Sequence, residues 1–327
     1  MRFMRAGRML GDARQETSTH EASVDSLWQT SVMPQGAICG GHSVRTDTWR
    51  RPETYTRRLH EDHYAELRQL LAREPGSTVF LTSNLERFGL EDPFIHFWGT
   101  FQNDRLVTVL MMIGQRAGLY TTDVSTLRPS MDIALRQRLN FIMGPRQVIR
   151  SALQNLWQLP IARNEAHFFA QLVGKRFQAY LAKPTPPETT IRKATPDDIP
   201  ALTTLYTGAA GFEHTPVDQV RQSMIERVYA LRTYIAEVRG HLVAGASTSA
   251  ESYDAAMIGG VWTLPNERDH GYSTAVVAAL SAELLAEGRC PYLFYLEDNA
   301  PAAHVYKKIG FQDIGHWSIV YFDRARS

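Results

Sequence analysis

Fourteen residues, Val261-Trp262-Thr263-Leu264-Pro265-Asn266-Glu267-Arg268-Asp269-His270-Gly271-Tyr272-Ser273-Thr274, constrain this chain more than any other stretch. They read as a buried strand, a polar loop and the start of a helix. The chain must turn after Pro265, and Arg268, Gly271 and Ser273 then follow at the spacing Arg-x-x-Gly-x-small. Successive amides of such a loop can point into one concavity. The first turn of the helix that follows adds N–H groups with no intrahelical partner. Residues Arg268, Asp269, His270, Gly271, Tyr272, Ser273 and Thr274 therefore form a candidate anion cradle, with a diphosphate as its natural guest. Gly271 allows close approach of backbone to ligand. A single glycine-bearing loop also arises by chance, so the cradle needs a second signal.

That signal is Asn299-x-x-Ala302-x-x-x-Tyr306-x-x-x-Gly310-Phe311. Together the two segments resemble the GNAT superfamily of acyl-CoA-dependent N-acetyltransferases. The first is similar to its Arg/Gln-x-x-Gly-x-Gly/Ala coenzyme A loop, with Ser273 in the last small position. The second is similar to its Asn-x-x-Ala-x-x-x-Tyr-x-x-x-Gly-Phe segment. Order and separation fit as well. The resemblance covers residues 190–327 well and the preceding half loosely.

The chain has 327 residues, long for one domain and comfortable for two. Hydrophobic residues at 44% and charged residues at 21% give an ordinary globular balance, and either half can bury a core. The net charge of +1 offers no bulk attraction to nucleic acid or membrane. Residues 189–327 carry 12 basic and 16 acidic side chains, so the half with the motifs has no basic face for RNA. The two cysteines, Cys39 and Cys290, fall in different segments, cannot build a metal site and suit a reducing cytoplasm. No apolar run approaches the ~20 residues of a membrane span. The basic N-terminus is followed by no apolar core, so it does not read as a secretory signal.

Residues 1–52 lack sustained periodicity and read as a flexible leader. A helix is expected over residues 55–73, stopped by Pro75-Gly76, then a short strand at Thr78–Leu81 and a helical turn at Asn84–Phe88. Three strands follow between residues 94 and 122, then helix Ser130–Leu139, strand Phe141–Met143, helix Arg146–Trp157 and strand Ala166–Val173. Lys183-Pro184-Thr185-Pro186-Pro187-Glu188-Thr189 is a stiff linker. The boundaries that follow are 53–183 for the first domain, 184–189 for the linker and 190–327 for the second domain. Thr195-Pro196-Asp197-Asp198 is a helix-start signal with Thr195 as cap. Beyond it come two helices, three antiparallel strands, a helix, a strand, a helix and a strand.

The fold class expected is α+β. The resemblance makes it two tandem GNAT-like domains, each a mixed, mostly antiparallel sheet flanked by helices. The first copy is degenerate: Thr122–Pro129 stands where its cofactor loop would fall.

The resemblance implies acetyl-CoA as acyl donor and transfer to a primary amine by direct attack. It places the pantetheine arm against strand amides of Val261, Trp262 and Thr263, one of them facing the thioester oxygen. Asn299 lies near the pantetheine, and Tyr306 is implied as the acid that protonates the departing thiolate. Taken alone, Tyr306 reads as an amphipathic core tyrosine and Arg268 as a solvated loop arginine. No carboxylate lies on strand 255–261, so no base is assigned; Glu251, Asp254, Glu297, His214, His270 and His304 are nearest in sequence. Gly259-Gly260 suggests room for the amine. The acceptor expected is a small-molecule amine, without nucleic acid, membrane or metal, and the first half would wall the cleft or form a homodimer interface. Two other readings stay open. One is a non-catalytic acyl-CoA sensor, and the other is acylation of a protein or aminoacyl-tRNA amine.

Overall fold

The computed structural model describes residues 54–181, 186–209, 212 and 214–323, without the Ala179 side chain. The leader expected at 1–52 lies outside these residues, as do residues 183–185 at the start of the proline-rich stretch.

The first half runs β1 (Thr54–Arg58), α1 (Tyr64–Leu71), α2 (Pro75–Phe88), β2 (Ile95–Gln102), β3 (Arg105–Ile113), β4 (Arg116–Thr121), α3 (Leu127–Arg136), β5 (Phe141–Pro145), α4 (Arg146–Asn155) and β6 (Ile161–Leu172). Helix α5 (Gly174–Leu181), not foreseen from the sequence, leads towards the linker. The second half runs β7 (Thr189–Lys193), α6 (Ile199–Tyr206), α7 (Val217–Ala230), β8 (Thr233–Val238), β9 (His241–Glu251), β10 (Ala255–Thr263), α8 (Tyr272–Ala286), β11 (Cys290–Leu296), α9 (Ala300–Ile309) and β12 (Phe311–Phe322). The two halves repeat one element order.

Three expectations for the first half are corrected. Tyr55 begins no helix: Thr54–Arg58 pairs antiparallel with β2, from Thr54↔Gln102 to Arg58↔Trp98. Pro75 does not stop a helix but starts one, since at the first helical position its missing N–H costs nothing. Thr78–Leu81 is helical rather than a strand, because α2 buries Val79, Leu81 and Leu85 at helical spacing. Gly76 suits this helix for a packing reason. A Cβ there would stand 2.4 Å from Cε1 of Tyr292, a residue of the other half.

All twelve strands form one sheet, in the order β1-β2-β3-β4-β5-β12-β6-β11-β10-β9-β8-β7. The order reads as two six-strand units that have exchanged their last strands. β12 pairs with β5 of the first half, and β6 pairs with β11 of the second. Between them β6 and β12 run antiparallel along their whole length, from Phe311↔Leu172 to Phe322↔Ile161. Neither half closes its own sheet.

Side chains from both halves meet over this centre. Val79, Phe141 and Phe169 pack with Met257, Tyr292, Trp317 and Ile319 in one cluster. Trp317 is 2% exposed and stacks on Phe294 with ring centres 5.9 Å apart. Helix α2 lies on β9 and β10, on the face away from α8. In the second half the expected helix start is present as a capping box between Thr195 and Asp198. Arg192 reaches both Asp198 oxygens at 2.8 Å and holds the Asp198 carboxyl down to about 2. Among the described residues no helix is long and apolar enough to cross a membrane.

Because the central cluster belongs to both halves, residues 54–323 should unfold in one transition. Trp317→Ala is expected to cost about 3–5 kcal/mol in urea denaturation, with far-UV and near-UV signals still shifting together. Two separated transitions would contradict a shared core.

Candidate functional site

Strands β10 and β11 pair in parallel only from Ala255↔Cys290 to Ile258↔Leu293. Beyond Ile258 they part. β11 stays paired with β6 on its far side, whereas no ladder bond joins Gly259–Thr263 to β11. On the other side β10 slips register against β9 between Gly259↔Ser247 and Trp262↔Gly245, so one extra residue bulges out. Gly260 sits in the bulge at φ +59°, where a side chain is strained. The Tyr206 hydroxyl donates to the Gly260 carbonyl at 2.5 Å and fixes the bulge from α6. Burial pushes the Tyr206 phenol up to about 12, so it remains a donor across the physiological range. The result is a wedge whose mouth is lined by Val261, Trp262 and Thr263. Thr263 is buried, and its hydroxyl has no hydrogen-bond partner among the described residues.

The loop beyond is a short helical turn at Pro265–Glu267, then Asp269 at φ +66° and Gly271 at φ +82°, which opens α8. The first backbone bond of the helix is Ala275 N to Gly271 O at 3.0 Å. Among the described residues, none of the amides of 268–274 donates to a backbone carbonyl ahead of it. These amides and the helix dipole leave a partial positive charge at the wedge mouth. Residues 268–274, expected from the sequence as an anion cradle, thus lie together at the start of α8. Arg268 is exposed and lies over the Trp262 ring at 5.1 Å rather than within the loop. Tyr272 and Thr274 are buried, with Tyr272 stacked on His270 at 5.5 Å, so their side chains serve packing while their amides stay available.

The first half offers a control. β4 and β5 also part after Gly118↔Met143. Here, however, β3 and β4 pair without a bulge, and the loop holds its own anion. Asp123 accepts from the Ser125 amide at 2.9 Å, and the Ser125 hydroxyl, together with that amide, lowers its carboxyl below the usual range. A carboxylate already sits where the second half presents free amides. This is the physical content of the degeneracy read from Thr122–Pro129.

Helix α9 brings the second motif to the wedge. Asn299 caps it, accepting from the Ala302 amide at 3.1 Å. Tyr306 is 8% exposed and packs against Tyr295 at 5.4 Å and Phe311 at 6.0 Å. Burial raises its phenol above the ordinary value, so it is a neutral donor. Gly310 ends the helix at φ +122°. A Cβ there would stand 3.0 Å from both Arg176 Cβ and Phe177 N of α5.

Of the six candidate bases, three are committed elsewhere. Glu251 pairs with Arg232 at 3.1 Å at the far end of β9. Asp254 accepts from Ser252 in the turn between β9 and β10. Glu297 accepts from His316 at 2.7 Å and pairs with Arg146. His214 and His304 are exposed, and His270 stacks on Tyr272. The room inferred from Gly259-Gly260 is already filled. A Cβ on Gly259 would meet Ser249 Oγ at 2.3 Å, and one on Gly260 would meet Arg227 Nη1 at 2.1 Å. Tyr206 and Arg227 are the bulge residues that sequence reasoning missed. Each looks like an ordinary member of an amphipathic helix and carries no motif. Two open cavities of about 480 and 680 Å³ lie elsewhere, the first lined by Arg68, Glu86 and Arg289 and the second by Arg116, Asn140 and Tyr321.

Residues 238–320 match the family model described as FR47-like protein. None of the curated proteins matches the sequence. Among solved structures, a tandem GNAT protein from the clavulanic acid biosynthesis pathway is 18% identical with a TM-score of 0.57, over 84% of this chain and 100% of that one. A protein from Drosophila is 14% identical with a TM-score of 0.59, over 81% and 98%. A GNAT-family acetyltransferase from Colwellia psychrerythraea is 13% identical with a TM-score of 0.50, over 82% and 99%. The fold is the GNAT fold in tandem, as the two motifs and the repeated element order imply.

Gly310→Ala should lower stability by about 1–3 kcal/mol through backbone strain, added to the tight approach of α5. Thermal unfolding checks it, and an unchanged melting temperature would show that α5 yields freely.

Proposed function

We propose that this protein is an acetyl-CoA-dependent N-acetyltransferase acting on the primary amine of a small molecule. The observation that carries the reading is the run of free amides at 268–274, set at the mouth of a strand wedge with Asn299 and Tyr306 on the adjoining helix. The GNAT fold supports acyl transfer in general, and each residue contributes a step that chemistry requires.

The amides of 268–274 would hold the diphosphate, assisted by the α8 dipole. Arg268 can leave Trp262 to add charge, while Asp269 in the same loop opposes it. The extended backbone of Val261, Trp262 and Thr263 is unpaired towards β11 and would take the pantetheine amides as an added strand does. Acetyl-CoA supplies an activated acyl group as a thioester. The acceptor nitrogen, unprotonated, forms the new C–N bond while the C–S bond breaks. An amide N–H of the bulge would stabilise the oxygen that carries negative charge in between. The phenol of Tyr306 would give its proton to the leaving sulfur and regain one from the ammonium through solvent.

A second reading, an acyl-CoA sensor without turnover, is favoured by one observation: Glu251 and Glu297 are both held in ion pairs. Direct attack by an amine that loses its proton to water needs no such base, so the transferase reading stands first.

Titration of acetyl-CoA into the wild type and Gly271→Trp tests the cofactor assignment. Binding by the wild type is expected, with none by the variant, and a wild type that does not bind overturns both readings. Tyr306→Phe should lower kcat about 100-fold with the acetyl-CoA Kd unchanged. Binding without release of free thiol across an amine panel would favour the sensor.

A further inference from the structure

Arg227 is half-buried in the last turn of α7, with two aromatic rings and the β10 bulge against its guanidinium. Its Cζ is 5.1 Å from the centre of the Tyr206 ring and 5.5 Å from that of Phe212. Nη1, Cζ and Nη2 lie 2.1, 3.0 and 3.3 Å from the point where a Cβ on Gly260 would stand, so the guanidinium rests on the glycine itself. Nη1 is buried and has no hydrogen-bond partner among the described residues. Three other arginines of this half are matched: Arg232 takes Glu251 and Glu287, Arg289 takes Glu251 and Glu287, and Arg192 takes Asp198 and Glu237. Among the described residues no carboxylate lies within ion-pairing distance of Arg227.

A guanidinium N–H taken out of water without an acceptor is costly. The two rings, the Tyr206 hydroxyl and the carbonyl end of α7 offset part of that cost, but Nη1 is left without an acceptor among the described residues. The position is also specific. Arg227 touches Gly260, whose carbonyl is pinned by Tyr206, and the next residues are those whose amides would face the acyl group. A planar fork of donors at that place is suited to a carboxylate.

We infer that Arg227 anchors the carboxylate of the acceptor, and that the amines acylated by this protein are α-amino acids. The inference rests on the reading of the β10 bulge as the acyl-transfer site. The carboxylate supplies the missing acceptors for the guanidinium. It also holds the amine a few bonds away, beside Val261 and Trp262. Gly260 then has two reasons to lack a side chain: its positive φ, and the guanidinium plane that lies against it.

Matched pairs test this directly, each an amino acid and the amine left when its carboxylate is removed: phenylalanine and phenethylamine, tyrosine and tyramine, histidine and histamine. Acetylation is followed by release of free thiol. The wild type should favour the amino acid by roughly 100-fold in kcat/KM, since a group built to bind a charge rejects the analogue without it. In Arg227→Gln the amino-acid member should fall about 100-fold, mainly through KM, towards the level of its amine partner. Arg227→Lys keeps the charge without the fork and should retain part of the preference. An equal fall for both members, or no preference in the wild type, overturns the inference and leaves Arg227 a packing residue. If Arg227→Gln melts too low to assay, titration of each pair into wild type with coenzyme A decides: amino acids should bind and their amines should not, and equal binding overturns the inference. Acetyl-CoA titration separates the two claims. Acetyl-CoA binding without carboxylate preference removes this inference alone. Carboxylate preference in titration without acetyl-CoA binding overturns the transferase reading and with it the acylation of α-amino acids, and leaves Arg227 a carboxylate-binding residue only.

Discussion

The antiparallel pairing of β6 with β12 is the interaction on which the rest of the structure depends. It joins the last strand of each half at the centre of one sheet and places each beside the fifth strand of the other half. β11 is thereby held by β6, a strand from the first half, over Tyr292–Leu296. Because that side is fixed, β10 can leave β11 after Ile258 without dissolving the sheet. The wedge of the second half is braced by the first. The aromatic packing of Trp317, Phe294 and Phe169 locks the same strands in place. A residue of β12, distant from the wedge in sequence, thus supports the strand that forms one of its walls.

Two copies of one element order have reached opposite electrostatic states at the same place. In the first, Asp123 closes the helix start with a covalently attached anion, and β4 runs straight. In the second, Gly271 opens the helix with a left-handed residue that supplies no acceptor, and β10 bulges at Gly260. A side-chain carboxylate at a helix start satisfies the amides at all times, at a high local concentration no free ligand matches. An external diphosphate can compete only where that carboxylate is missing.

Much of this was legible in the sequence, and the parts that were not share a cause. Strand β5 and helix α4 fall close to their expected limits, because the apolar periods and the proline and glycine signals are local. The cradle and the Asn299–Phe311 segment were legible as motifs for the same reason. Helix α2 was misread because Thr78-Val79-Phe80-Leu81 is β-branched and apolar, while the surface that makes it helical, Tyr292 and Met257, belongs to the other half. The exchanged strands were invisible for a related reason: β6 and β12 show the same period whichever partner they take. Arg227 and Tyr206 were missed because their meaning lies in Gly260, a residue on another element, and no spacing along the chain encodes that contact.

The exchange also orders events in time. During synthesis β5 and β6 emerge before any of the second half, and the strand that separates them in the finished sheet, β12, comes after every other element of it. At ribosomal speeds the wait is on the order of ten seconds. Throughout it the facing edges of β5 and β6 have no permanent neighbour, yet they must not pair with each other or with a second chain. A nascent protein of this design is therefore most vulnerable not at its surface but along the seam that will become its centre, and the last strand to arrive is the one that seals it.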